Sequence, residues 1–490
     1  MSDIKLLLKQ SSHYLGGQTL VLLAGLISFP ILTRIFSVSE YGLLGLVNIT
    51  VFLVLSISKL GIPNSSVRFY SEFKANKNLS GFHSTLFLSA LILGLTSALL
   101  FYLFIRLFSS PFSEEGLVSF ALLIAILIFT GCINDTLMSF LRAAQRTRLY
   151  NLLMVIRRYG TLAISIFLVF FLVKGLPGFF CGGAIWGLVL FSFLTYLLFR
   201  NHTIKFKYYS FQFFKESIKF GFPLVWAELG HLLLTYADRY LIQFYLGAAS
   251  LGIYTAGYNL TMHITDVIKY PINYAMTPIY MDILVNKGEE ATKIFFSRIF
   301  RFFLLIIIPV SLGFIAVGKD LIAVLASSKY VDAYSIIPYI IIGQLVYGCQ
   351  IILNSGLFIR KKTHIVTGVM ISSCILNIGL NIWLIPRYGI TGAAQATLVS
   401  YIFYTLVITY FSFKEFSFPI KYAHILFYLG AATVMYVVIS AIDTGGSLSN
   451  LIVKIPTGII IYASLILAFD KDIRNALHKI VKKLRNNLPK

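Results

Sequence analysis

Between Phe220 and Tyr280 two apolar stretches carry polar residues at helical spacing. In the first, Glu228, His231, Thr235, Asp238 and Arg239 stand at i, i+3, i+7, i+10 and i+11, and so share an arc of about 100°. In the second, Asn259, Asp266 and Asn273 recur every seven residues, with Tyr258, Met262, Thr265 and Lys269 filling the same sector of about 120°. A carboxylate in low dielectric can take up a proton, and one ringed by carbonyl oxygens can hold a small cation. A guanidinium or ammonium in the same setting holds an anion. Facing lipid, each charge would cost about 2.5 to 3.5 kcal/mol on insertion scales, so both stripes are predicted to face protein or a water-filled cavity.

The elements that position these stripes are membrane spans. Of 490 residues 58% are hydrophobic and 12% charged, with a mean hydropathy of +0.83; a soluble domain is about a quarter charged. Apolar runs of about 20 residues, enough to cross a core of about 30 Å, recur from Leu15 to Phe469. Fourteen are predicted. The longest connections, around 200–219 and 282–298, are too small for a catalytic domain, and no phosphate-cradling nucleotide loop is present. The net charge of +22 suggests nucleic acid at first sight, but it is distributed by loop. Lys5 and Lys9, Arg142 to Arg148, Lys205 to Lys219 and Arg360 to Lys362 are among those on one side, while the other side holds far fewer, Arg34, Arg106, Lys174, Lys319, Lys329, Arg387 and Lys454, with the acids Glu114 and Glu115. The positive-inside rule therefore predicts both termini in the cytoplasm, with the loop at His202 inside as well. The first span lacks a small-residue cleavage site, so it is expected to be retained, and Pro30 is predicted to kink it. Cys132, Cys181, Cys349 and Cys374 stand singly without metal-ligand spacing and read as packing residues.

An internal repeat divides the chain. Ser39 to Gly45 matches Ala249 to Thr255 at an offset of 210, Gly182 to Ile185 matches Thr391 to Ala394 at 209, and Gly61 to Pro63 faces Lys269 to Pro271 at 208. That shift is six spans, and an even shift preserves orientation. The expected architecture is an all-α integral membrane protein, with two parallel six-helix lobes around a central cavity and two appended C-terminal helices. The domains are 1–208, 209–415, 416–470 and a basic tail, 471–490. In the tail Ile473, Leu477, Ile480 and Leu484 share a face with Lys479, Lys482, Lys483 and Arg485 elsewhere, which suits either a helix on an anionic leaflet or a plain topogenic tail.

Three further stretches carry a likeness: Arg34-Ile35-Phe36-Ser37-Val38-Ser39-Glu40-Tyr41-Gly42; Ala237-Asp238-Arg239 with Leu246-Gly247 and Gly252-Ile253-Tyr254; and Tyr388-Gly389-Ile390-Thr391-Gly392-Ala393-Ala394. Together they resemble the polysaccharide-transport family of Wzx-type flippases, in the MOP superfamily that also holds the MATE exporters and the lipid II flippases. The resemblance covers the whole chain. It implies alternating access in a bacterial cytoplasmic (inner) membrane, moving an undecaprenyl-diphosphate-linked oligosaccharide (an O-antigen, capsule or exopolysaccharide unit) from the inner to the outer leaflet. It implies no cofactor, no catalysis, no nucleic acid, and association with other polysaccharide-assembly proteins.

For such a cargo Arg34, Lys59, Arg239 and Lys269, with Arg157 near the inner mouth of span five, are the candidate diphosphate ligands. Tyr258, Asn259 and Asn273, with Asn377 and Asn381, are candidate sugar contacts. Glu228, His231, Asp238 and Asp266 are the candidate coupling residues, and proton and sodium both stay open. A plainer reading stands beside each. Asp266 with Lys269 and Asp238 with Arg239 can neutralise one another, Arg34 and Lys59 can snorkel, and Asn377 and Asn381 can bond helix to helix. A MATE-type drug or metabolite antiporter would favour carboxylates over cations for cationic cargo, whereas here Arg and Lys accompany the acids; a membrane glycan polymerase or transferase would carry a sizeable outer loop, and none of the outer loops is large.

Overall fold

The computed structural model describes residues 2–107, 120–201 and 204–475, with side chains from Gly16 onward except at Phe199, Asn201, Tyr274 and Ala275. The readings placed on Glu114, Glu115, His202 and the tail beyond Asn475 lie outside the described residues. Within them every regular element is helical. In chain order these are α1 (Ser2–Ile35), α2 (Val38–Ser58), α3 (Ile62–Ala75), α4 (Leu79–Leu107), α5 (Ala121–Ala143), α6 (Thr147–Phe171), α7 (Gly175–Asn201) and α8 (Phe211–Leu321). A short irregular helical passage through Ser335 leads to α9 (Ile337–Leu353), α10 (Ser355–Ile359), α11 (Thr363–Glu415), α12 (Tyr422–Ser440) and α13 (Ser447–Phe469).

The 111 residues of α8 would reach about 165 Å as one straight rod, several times a bilayer core. Left-handed φ values at Gly247 (78°) and Gly288 (80°) divide it into 211–246, 248–287 and 289–321, and Gly389 (60°) divides α11. Glycine alone takes these angles without strain. Eleven helices among the described residues are long and apolar enough to cross a membrane, and the glycine breaks divide two of them further, α8 into three segments and α11 into two. The connection expected over 282–298 is not a loop. Its Lys and Glu residues are good helix formers, so the helix runs up to Gly288 on both sides. The polar stretch after α2 is likewise helical, as α3. The Ser37–Glu40 turn is a capping box: Glu40 N donates to Ser37 Oγ at 3.2 Å, and Ser37 N donates to Glu40 Oε2 at 2.9 Å.

Two compact units form, one of residues 1–256 with 367–397 and the other of 257–366 with 398–490. The first has a core around Phe82, Leu86, Phe140 and Phe213. The second has one around Phe296, Phe303, Phe416 and Phe418. The lobe boundary expected at 208/209 lies inside the first unit, and that at 415/416 inside the second.

Within the first unit the repeat appears as a reciprocal contact. A Cβ at Gly42 would collide with the carbonyl of Ala248, and one at Gly252 would collide with the carbonyl of Val38. Positions 38 and 248 are 210 apart, as are 42 and 252, so each helix start meets its own duplicate. Gly45 against Thr255 repeats the relation, at 2.9 Å from the added Cβ to Cγ2. Backbone meets backbone here, leaving no side chain to move aside. Gly42→Ala and Gly252→Ala are each expected to cost about 1 to 3 kcal/mol in thermal unfolding in detergent. Gly379→Ala, with nothing within 4 Å, is expected to gain up to about 1 kcal/mol from helix propensity. Wild-type unfolding by both of the first two variants would show that the close approach does not exist.

Candidate functional site

α2 and the first segment of α8 run antiparallel side by side. Thr50 Oγ1 lies 2.7 Å from Tyr240 OH, Ser56 Oγ donates to Glu228 Oε1 at 2.5 Å, and Gly61 abuts Gly221. This pairing carries Glu228 to the C-terminal end of α2, where Lys59 is the cap. From there Lys59 Nζ donates to Asp135 Oδ2 on α5 at 3.1 Å and stands 3.9 Å from Glu228 Oε1. Arg157 Nη1 on α6 donates to Asp135 Oδ1 at 2.6 Å. One carboxylate thus joins cations from two other helices.

A cavity of about 300 Å³ opens over this group, lined among others by Lys59, Asn64, Asp135, Arg142, Arg157 and Glu228. Arg142 makes no ion pair among the described residues. Three cations face two carboxylates, so the cavity carries a surplus of one positive charge. Ser56, Ser139 and Tyr150 add hydroxyls to the wall. The chemistry offered is anion binding with hydrogen-bonding groups close by. Lys59 and Arg157, anticipated as separate cations, share one acid; Glu228, anticipated as a coupling acid, joins them.

The other expected residues form separate groups. Asp238 and Arg239, at 2% and 1% exposure, are sealed. Arg239 Nη1 donates to Asp238 Oδ1 and Thr235 O, both at 2.9 Å, and the guanidinium lies 4.8 Å and 5.6 Å from the ring centres of Tyr236 and Tyr254. Tyr254 OH donates to Asp238 Oδ2, and Thr397 reaches the same oxygen at 3.4 Å. In the second unit Lys269 Nζ is 3.0 Å from Asp266 Oδ1 and donates to Gln344 Oε1 at 2.7 Å. Gln344 Nε2 donates to Tyr258 OH at 3.3 Å, and Tyr258 OH lies 2.9 Å from Tyr401 OH. Tyr258 is fully buried, Asn259 half-buried, and Asn273, Arg34 and His231 are exposed. Arg34 Nη1 donates to Pro30 O within α1, and Pro30 itself lies inside that helix. Asn381 Nδ2 donates to Asn377 O and Oδ1, a bond within one helix and not between two.

Asp135 and Gln344 are the residues that sequence reasoning missed. Each was visible as an isolated polar group in an apolar span, Asp135 directly after Asn134 and Gln344 after a run of isoleucines. Their partners lie 76 and 75 residues away, so no local spacing marks them.

A family model described as polysaccharide biosynthesis protein matches residues 7–284. A protein of Haloferax volcanii named a probable low-salt glycan biosynthesis flippase, Agl15, is 21% identical over 263 residues, which cover 52% of this chain and 55% of that one. The chain spans about half or less of the length of such relatives. Among solved structures, the lipid II flippase MurJ in an inward closed conformation has a TM-score of 0.79 at 18% identity, covering 93% of this chain and 98% of that one. An inward-facing multidrug MATE transporter of the MOP superfamily gives 0.64 at 15%, covering 81% and 93%. At these identities the likeness to the two structures is one of fold.

Removing the acid at the centre strands two cations in a largely apolar setting, which costs about 3 to 5 kcal/mol where an ion pair is buried and less at partial exposure. Asp135→Asn is therefore expected to lower thermal stability by about 2 to 3 kcal/mol. Adding Arg157→Gln to it should restore part of the loss. Undiminished stability in Asp135→Asn would show that the acid does not hold this corner together.

Proposed function

Because the chain belongs to the polysaccharide biosynthesis protein family, a multi-pass membrane family whose fold here is that of MurJ and MATE transporters, we propose that it is a flippase for an undecaprenyl-diphosphate-linked oligosaccharide. The observation that carries this reading is the cavity at Lys59, Arg142 and Arg157, where cations outnumber acids. A diphosphate gains from that surplus; a cationic drug would be repelled by it, which sets the antiporter reading behind. The act is transport, with no bond made or broken. Alternating access between lobes 1–208 and 209–415 would carry the headgroup across, with the lipid tail left in the bilayer. The loop charges favour cytoplasmic termini in a bacterial inner membrane, and the glycan requires enzymes that assemble it on the same side.

In this mechanism the diphosphate competes with Asp135 for Lys59 and Arg157, and Arg142 supplies the charge that tips the exchange. Lys269 in its own half, beside Tyr258, serves the same cargo at another stage, with Asn259 and Asn273 available to sugars. Arg239 keeps its substrate role only if it leaves Asp238 and its ring cage. Coupling to a proton or sodium gradient would run through Glu228, Asp238 or Asp266, with His231 as an accessory group.

Surface glycan and protein abundance, measured together in a host lacking its own flippase, test the reading. Arg142→Gln is expected to lower export at least tenfold at normal abundance, since a lost charge-assisted hydrogen bond to substrate is worth about 1.5 to 3 kcal/mol. Arg142→Lys should keep most of it. Normal export by Arg142→Gln together with Lys59→Gln would remove the cavity from the transport path. Separately, the amides Glu228→Gln, Asp238→Asn and Asp266→Asn are each measured under imposed proton and sodium gradients. Unchanged gradient dependence in all three would end the coupling proposal.

A further inference from the structure

A second cavity, about 880 Å³, lies away from the candidate transport residues discussed above. One wall comes from the third segment of α8, with Ile294, Arg298 and Phe302; the second from the start of α12, with Lys421, His424 and Ile425. Asp472, Ile473 and Asn475 close the third side. Ser297 Oγ donates to Pro419 O at 2.7 Å and ties the first two walls together.

The floor holds one cation between two carboxylates, Asp470 and the cavity-lining Asp472. Arg301 donates from Nη2 to both oxygens of Asp470 at 2.7 Å, from Nη1 to Asp472 at 2.7 Å and from Nε to Tyr428 OH at 2.8 Å. Burial pushes the Asp470 carboxyl up, but the bonds from Arg301 and from the backbone at Ile473 outweigh it and hold the group below the usual carboxylate range. The bond from Arg301 holds Asp472 low as well. The rim is different. Arg298 and Lys421 are exposed and make no ion pair among the described residues, and the shielded Nδ1 of half-buried His424 has no hydrogen-bond partner among them. The first turn of α12 adds the positive end of a 19-residue helix.

Apolar walls beside a cationic rim call for an amphiphile with an anionic head. The site also lies where spans end: Tyr422 opens α12, Phe469 closes α13, and both are about 70% exposed with Leu426 beside them. Aromatic residues take such positions at the membrane boundary. A free phosphate would leave most of an 880 Å³ space unfilled, and a glycan would find few amides there. The chain that follows from 476 is itself rich in lysine and arginine, so charge disfavours it as the occupant. We infer that this groove binds an anionic phospholipid of the surrounding bilayer, with its phosphate on Arg298, Lys421 and His424 and the first carbons of its acyl chains against Ile294, Phe302 and Ile425. The site is separate from the cargo path and stands independently of the transport reading.

The test uses the full chain in detergent with added dioleoylphosphatidylglycerol or dioleoylphosphatidylcholine, and native mass spectrometry to count retained lipid. The wild type is expected to hold the glycerol lipid and shed the choline lipid. Each cation near a lipid phosphate is worth about a factor of five, so Arg298→Gln/Lys421→Gln should weaken retention about thirtyfold, and Lys421→Gln alone about fivefold. Arg298→Lys/Lys421→Arg should retain it. Equal retention in the double glutamine variant, or equal retention of the choline lipid, overturns the site. Displacement by millimolar inorganic phosphate overturns the lipid assignment, since it would reveal a plain anion site.

Discussion

Every arrangement in this molecule answers to the cost of taking a charge out of water. A lone cation in a span cannot be left to lipid. Asp135 therefore draws Lys59 from α2 and Arg157 from α6 onto α5, and Glu228 on α8 approaches the same lysine. The contact joins α2, α5, α6 and the first segment of α8. Lys454 with Asp320, at 3.1 Å, does the same for α13, tying a helix outside the repeat to the end of α8. Buried pairs of this kind stabilise little against an apolar alternative, because desolvation consumes most of the Coulomb gain. What they supply is register: each cation reaches only the carboxylates that packing brings beside it.

Glycine places the breaks that these charges need. Positive φ at Gly247, Gly288 and Gly389 turns two over-long helices into five spans without a loop. At Gly42 and Gly252 the requirement is different, since two backbones meet with no room for a side chain. The same residue type therefore serves both the turning of the chain and its closest internal approach.

The fold was largely legible because hydropathy and loop charge are additive along the chain. Fourteen apolar runs could be counted, and the 210-residue offset found in Ser39 to Gly45 turned out to join residues in contact. The connection at 282–298 was misread because polarity was taken as a sign of a loop, where Lys and Glu in fact extend the helix. The site was legible in its members but not in its centre. Stripe periodicity finds charges that share a helix face, as Asp135 and Arg142 do on α5, but the cations bonded to Asp135 are on other helices, 76 and 22 residues away. Burial was equally hidden. Nothing in the spacing of Asp238 and Arg239 told that tyrosine rings would enclose them while Lys59 stayed beside a cavity.

With the offset running from 208 to 210, Lys59 falls within two positions of the counterpart of Lys269, and Asp135 beside that of Gln344. Each lysine reaches the equivalent helix of its own half, Lys59 to Asp135 on α5 and Lys269 to Gln344 on α9. Their neutralisation differs. Lys269 has its carboxylate three residues away on its own helix, so no movement of one helix against another can part it from Asp266. Lys59 has its acids on other helices, and any sliding of α2 against α5 separates the pair. Lys269 is thus paired within its own helix, whereas the pairing of Lys59 depends on how α2, α5 and α8 pack.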